Sequence, residues 1–365
     1  MKYIRSLLKH IIDEPGLSGF EIPVVDIVKK EWSGFVDEIE ISRVGSLHGI
    51  KRSAASKNEN AKKHAIMIAT HIDAIGMMVT RIKGDFLNFT DVGGIDPRIL
   101  PGTPVLVHGS AKGGKVKKYE GVIAISHPRS MPAGINGTVP MDKLLIDIGL
   151  SHSELEERIH IGDLISFNTH PTDLGSDLIS GHSIDNRASV VALSSFLHNY
   201  RGDHPNWDIY AAATAQEEVS FAGSYTSSHA IKPDLAIVID VTFAKGPGSS
   251  DWKTFPLGKG ITLGIGPNIH TKFMQQVKSI AEENEIPVVF ELMPKHSGTD
   301  AYAVQVSNEG IPTIVIGIPL RYMHTPVEVV SLQDIKRVER LLSAIMDKLD
   351  EKFLKKISWD DSDEK

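Results

Sequence analysis

The stretch Trp207-Asp-Ile-Tyr-Ala-Ala-Ala-Thr-Ala-Gln-Glu-Glu218 runs from an apolar, strand-like segment straight into two adjacent carboxylates. A turn containing Gly223 follows. At the end of a buried strand, Glu217 and Glu218 would lose hydration and repel one another, so something must offset the cost. A divalent metal does so: one glutamate ligates it while the other holds a proton. His71, Asp185, Asp240 and His324 supply the further ligands that a two-metal site needs. The pattern reads as a metal-dependent hydrolase.

The same pattern recurs along the chain. Ala65-Ile-Met-Ile-Ala69 is a short continuous apolar run, expected of a strand buried on both faces, and it ends at Thr70-His71-Ile-Asp73. Residues 235–239 read as a strand leading to Asp240, and residues 312–318 as a buried strand ahead of His324. Helices are expected over residues 21–32, 187–200 and 271–284, and from Ser331 to about residue 349 behind a capping-box variant. Strands alternating with helices predict an α/β fold, a mostly parallel sheet covered by helices on both faces. Sites in such sheets gather beyond the carboxyl ends of the strands, so ligands distant in sequence can converge. Asp185 sits just before a helix, where the backbone is free to turn its side chain inward.

Residues 75–172 have a different character. Gly and Pro breaks separate short β-like runs such as Pro104-Val-Leu-Val-His108, Gly121-Val-Ile-Ala-Ile125 and Asp163-Leu-Ile-Ser-Phe167, with one helical candidate at residues 151–159. This predicts a small β-barrel or sandwich inserted into a catalytic α/β domain made of residues 1–74 and 173–365. Emerging right after His71 and Asp73, the insertion is placed at the rim of the site. Small β-units expose edges that need covering, so a role in self-association and as a lid is expected.

Composition narrows the chemistry. A net charge of -7 spread along 365 residues gives no basic stripe for nucleic acid. No apolar run is long enough to cross a bilayer as a helix. With no cysteine, any metal must sit on His, Asp and Glu, which suits zinc, cobalt or manganese in a catalytic site. Arg5 and Lys9 interrupt what would be the apolar core of a signal peptide, so a cytoplasmic location is the expectation.

Taken singly, each residue has a plainer reading. Asp185 also fits a helix N-cap, Asp240 a strand end, His71 a hydrogen-bonded core histidine, and a Glu-Glu pair a solvated face. Their joint placement at element ends favours the metal reading. The segments His71-Ile-Asp73 with Gly76, Ser183-Ile-Asp-Asn-Arg187, Gln216-Glu-Glu218, Val238-Ile-Asp240, Gly298-Thr-Asp-Ala301 and Arg321-Tyr-Met-His-Thr-Pro326 add order to that placement. Together with Ser18-Gly-Phe-Glu21 and Leu145-Ile-Asp-Ile-Gly149, they resemble, in order and over nearly the whole chain, the glutamyl/tetrahedral aminopeptidases. These are cytosolic di-metal exopeptidases, some of whose members carry an endoglucanase label.

The resemblance implies roles. Asp185 would bridge two metal ions, zinc or cobalt. Glu218 and His324 would complete one site, His71 and Asp240 the other. Glu217 would be the general base toward a metal-activated water, and Asp73, the second catalytic candidate, would hold the His71 ring. A free α-amine held at one metal would make the enzyme an aminopeptidase acting on short peptides. Thr299 and Asp300 would line the substrate site, with a helix N-cap as their plainer reading; His127, His182 and His296 are lining candidates only. A large homo-oligomer is implied, with a tetrahedral dodecamer as the candidate form. Two departures lie beside the site: Ala74 stands where glutamate is common, and His182 precedes Ser183. The rival readings are a di-metal carboxypeptidase or aminoacylase-type deacylase; a glycoside hydrolase, which would leave the histidine motifs unexplained; and a non-catalytic metal-binding assembly protein, against which the intact base at Glu217 argues.

Overall fold

The computed structural model describes residues 1–54, 63–110, 116–125, 139–202, 206–249 and 252–360. In chain order its strands are β1 (Glu38–Ile41), β2 (Leu47–Lys51), β3 (His64–His71), β4 (Gly76–Lys83), β5 (Phe86–Val92) and β6 (Pro104–Ser110). Then come β7 (Val116–Ile125), β8 (Leu144–Asp147), β9 (Leu164–Phe167), β10 (Thr172–Leu174), β11 (Leu178–Gly181) and β12 (Trp207–Thr214). The last are β13 (Leu235–Phe243), β14 (Ile261–Ile265), β15 (Val288–Leu292), β16 (Thr313–Arg321) and β17 (Glu328–Ser331). The helices are α1 (Lys2–Ile12), α2 (Ile22–Trp32), α3 (His152–Arg158), α4 (Ile184–Asn199), α5 (Glu217–Ser220) and α6 (Ala222–Ile231). After them follow α7 (Thr271–Glu283), α8 (Asp300–Gln305), α9 (Leu332–Lys348) and α10 (Phe353–Lys356).

Four strands, β12-β3-β13-β16, form a parallel centre. Ile66, Met67, Ile68 and Ala69 of β3 are all fully buried, so both faces of the strand are covered, as the unbroken apolar run requires. Antiparallel strands widen this centre on both sides into a mixed eleven-stranded sheet: β2 and β1 beyond β12, and β17, β11 and β10 beyond β16, with β14 and β15 branching from β16.

Helices flank the sheet. One group, α1, α2 and α9, packs around α4, which lies on β3 and β13. Residues Ile184 through Leu197 of α4 are buried on every side, so this helix has no polar stripe to show in its sequence. A second group, α6 and α8, pack on one another and on β3 from the opposite face.

The insertion is a closed six-stranded barrel, β4-β5-β8-β7-β6-β9. It has its own core, with Met77, Leu87, Val105, Val107, Ile123, Ile146 and Ile165 fully buried. Of the two forms expected from sequence, barrel or sandwich, the structure has the barrel. Closure also removes the argument that free strand edges need a partner, because every strand of the ring has two neighbours. Among the described residues, no helix is long and apolar enough to cross a membrane.

Candidate metal centre

Register brings the site together. Parallel pairing sets Ala69 of β3 opposite Val238 of β13. Side chains alternate along a strand, so two residues further the same face presents His71 and Asp240 side by side. His71 is the last residue of β3, opposite Thr214 of β12. Asp240 lies inside β13, which continues to Phe243 instead of ending at residue 239 as the sequence suggests. Glu217 and Glu218 follow β12 after Gln216, whose left-handed φ of 61° turns the chain into α5.

Asp185 is not a helix cap. Ser183 holds the N-cap position of α4, and Asp185 and Asn186 keep non-helical backbone angles. This lets the Asp185 carboxylate face two imidazoles at once. Its Oδ1 is 3.2 Å from His71 Nε2, and its Oδ2 is 3.3 Å from His324 Nε2. His71 Nε2 is also 3.7 Å from Asp240 Oδ1 and 3.8 Å from Glu217 Oε2. His324 Nε2 is 3.3 Å from Glu218 Oε2. Two triads therefore share Asp185: one with His71 and Asp240, the other with Glu218 and His324. In each, the donor atoms lie within 4.8 Å of one another.

The His324 ring is fixed from behind, and a carboxylate stands behind that of His71. His324 Nδ1 is 2.8 Å from the Gly94 carbonyl oxygen. A carbonyl only accepts, so Nδ1 carries the proton and Nε2 turns its lone pair to the carboxylates. Asp73 Oδ1 is 3.4 Å from His71 Nδ1. The same carboxylate accepts from the backbone N–H of Glu217 at 3.0 Å and of Glu218 at 3.2 Å, and from the Ser18 hydroxyl. Asp73 thus positions a ring and both glutamates together.

The electrostatics call for cations. Among the described residues, no Lys or Arg forms an ion pair with Asp185, Glu217, Glu218 or Asp240; their ionic partners are the two imidazoles. Burial pushes Glu217 up to about 11, with His71 opposing and Asp240, Asp300 and Glu218 adding. Burial and then Asp185 push Glu218 up to about 8. For His71, burial pulls down, but the charge of Glu217 and the close carboxylates of Asp185, Asp240 and Asp73 hold it well above its ordinary value. Carboxylates that repel so strongly are neutralised by bound divalent cations, and ligation takes their protons away. The donors are oxygen and imidazole nitrogen with no thiolate, which fits a catalytic pair of divalent ions.

Several supports were not assigned from sequence. Glu328, 1% exposed, accepts at Oε2 from the N–H groups of Ile184 (2.7 Å) and Asp185 (3.1 Å), and at Oε1 from that of His324 (2.9 Å). It joins two of the three segments that bear one triad. Glu21 accepts from the N–H of Gln216 at 3.1 Å, behind the glutamate pair. The buried Arg187 guanidinium donates to the carbonyls of Ile11, Glu14, Gly16 and Ile72, tying the end of α1 to the end of β3.

The triads line a cleft of about 410 Å³. Thr299 lines it too, while also capping α8 by accepting from Ala301 N–H. Asp300 is 1% exposed and accepts from the Thr214 hydroxyl, so it supports the cleft from within the core. His182 does not line this cleft: it packs edge-on against Phe167, with Nε2 3.2 Å from the Ile75 carbonyl. His296 stands beside Tyr302, also outside the lining. His127 lies outside the described residues.

Comparison with known proteins gives consistent matches. A family model described as M42 glutamyl aminopeptidase matches residues 53–341. A lysyl aminopeptidase of Pyrococcus furiosus is 32% identical over 94% of this chain and 96% of its own length. The structure of an aminopeptidase from the archaeon Desulfurococcus kamchatkensis, 31% identical, superposes with a TM-score of 0.88 over 99% of this chain and 98% of that one. The Pyrococcus horikoshii TET1 peptidase, 27% identical with a TM-score of 0.79, covers 95% of this chain and 100% of its own, and is described as assembling into a tetrahedron or a large octahedral shell.

Proposed function

The chain belongs to the M42 glutamyl aminopeptidase family, and on that premise we propose how its residues remove N-terminal amino acids from short peptides. It is a metal-dependent hydrolase of the di-metal aminopeptidase type. His71 and Asp240 would hold one cation, Glu218 and His324 the other, with Asp185 shared. The observation that carries this reading is the Asp185 carboxylate, whose two oxygens face one imidazole each. Zinc and cobalt suit the donors, and two such ions would polarise the scissile carbonyl and acidify the attacking water.

The remaining work belongs to side chains. Glu217 lines the cleft and its Oε2 lies 3.8 Å from His71 Nε2, beside the triads but in neither of the two that share Asp185. It takes the proton of the attacking water and returns it to the leaving amine. Asp73 positions Glu217 and His71. Thr299, which lines the same cleft, contacts substrate. The acid-rich cleft favours a cationic α-amine, which restricts cleavage to free N-termini. The insertion, residues 75–172, serves subunit contacts in a cytoplasmic homo-oligomer, with a tetrahedral dodecamer as the specific form. In that form it narrows access, so short peptides are cleaved and folded proteins are not.

Acetylating the N-terminus of a test peptide is expected to abolish cleavage, and amidating its C-terminus is not. Equal hydrolysis of acetylated and free peptides would overturn the exopeptidase reading in favour of a deacylase or endopeptidase.

A further inference from the structure

Besides the triads and Glu217, the cleft is lined by a further carboxylate. Glu291, half-buried on β15, lines it. Its Oε1 accepts from Thr242 Oγ1 and its Oε2 from Thr262 Oγ1, both at 2.7 Å. Each hydroxyl has one proton, and both are spent on this carboxylate, which favours its charged form. Burial, the largest influence, and the nearby Asp240 charge outweigh them and raise its pKa above the ordinary value. No Lys, Arg or His among the described residues offsets that charge.

Its place is defined by the strands. Thr242 is two residues beyond Asp240 on the same face of β13. The Glu291 carboxylate therefore stands beside the residue one side-chain step past Asp240 on that face. Gly317 of β16, directly opposite Asp240, makes the room. A Cβ there would lie 2.1 Å from Thr262 Oγ1 and 3.1 Å from Glu291 Oε2, so any larger residue would displace the arrangement. Met293, Val315, Met323 and Phe243 supply apolar walls around the same space.

We propose that Glu291 is the specificity-determining residue of this site and selects peptides whose N-terminal side chain is a long cation, Lys or Arg. The inference rests on the aminopeptidase reading. The methylene stem packs on the apolar walls, as long basic side chains do, and the charged head meets the carboxylate. A neutral N-terminal side chain leaves the carboxylate without its cation. An acidic one meets like charge, which discriminates more strongly.

The test is a comparison of kcat/KM on lysyl-, arginyl-, leucyl- and glutamyl-p-nitroanilides. It is run on the metal-loaded protein and on Glu291→Gln, with metal content of both measured by elemental analysis. The lysyl and arginyl substrates are expected to exceed leucyl by about tenfold or more, and glutamyl by on the order of 10²-fold. Glu291→Gln is expected to lower the lysyl-to-leucyl ratio by about tenfold while metal content holds. A wild type that prefers leucyl or glutamyl, or a variant whose ratio is unchanged because all four rates fall together, would overturn the proposal. The wild-type profile decides alone if the variant loses metal. Release from none of the four substrates would overturn the aminopeptidase reading itself, and this inference with it.

Discussion

The parallel centre of the sheet and the inserted barrel are both built on buried apolar cores, yet they treat polar groups in opposite ways. The barrel interior is apolar, with Leu87, Ile123 and Ile146 fully buried. The carboxyl end of the sheet buries Asp73, Asp185, Glu217 and Asp240 within a few ångströms of one another. Such burial is costly unless charge is neutralised, which bound cations would do. The barrel reaches the chemistry through its connecting loop, at the Gly94 carbonyl that fixes His324. The candidate ligands are thus concentrated in one region, while the other contributes a backbone carbonyl that orients one ring.

Substitutions should separate the two regions. The largest effect is expected from Glu217→Gln, which keeps the side-chain shape but cannot accept a proton. Turnover should fall by on the order of 10²–10⁴-fold with metal content nearly unchanged. Wild-type turnover in that variant would remove Glu217 from its role. Asp73→Asn ranks next. It weakens the grip on His71 and on the backbone of both glutamates, and metal affinity or activity should drop about 10–100-fold. Equilibrium dialysis against zinc measures this directly, and unaltered affinity would show that the His71 ring is held by packing alone. The smallest effect on chemistry is expected in the barrel. Ile146→Ala should destabilise that unit by about 2–5 kcal/mol, seen as faster amide exchange in β5, β7 and β8, with only a few-fold change in turnover per intact site. A loss of turnover as large as that of Glu217→Gln would erase the distinction between the regions.

Much of this division was legible in the chain because it rests on local signals. Unbroken apolar runs ahead of His71 and Glu217 mark strands buried on both faces, and the change to short Gly- and Pro-broken runs marks the insertion. The six ordered motifs place every triad member. What escaped depends on the fold. Glu328 acts by accepting backbone N–H groups from two distant segments, and nothing near it in sequence announces those partners. Gly94 acts through its carbonyl, which every residue possesses. Glu291 reads as one polar residue in a short strand until Thr242, Thr262 and Gly317 are brought beside it. The outer strands β1, β10 and β11 have four residues or fewer, too short to show a period. Barrel closure is a property of pairing around a ring, so strand signals alone left a sandwich open.

The central claim is that the buried carboxylates and imidazoles hold two cations and hydrolyse peptides only when they do. Titrating zinc or cobalt into chelator-stripped protein, while following both bound metal and release from a free N-terminal peptide, tests it most directly. Activity is expected to be absent at the start, to rise with metal, and to saturate at about two ions per chain. Full activity in protein shown by elemental analysis to be metal-free would contradict the account.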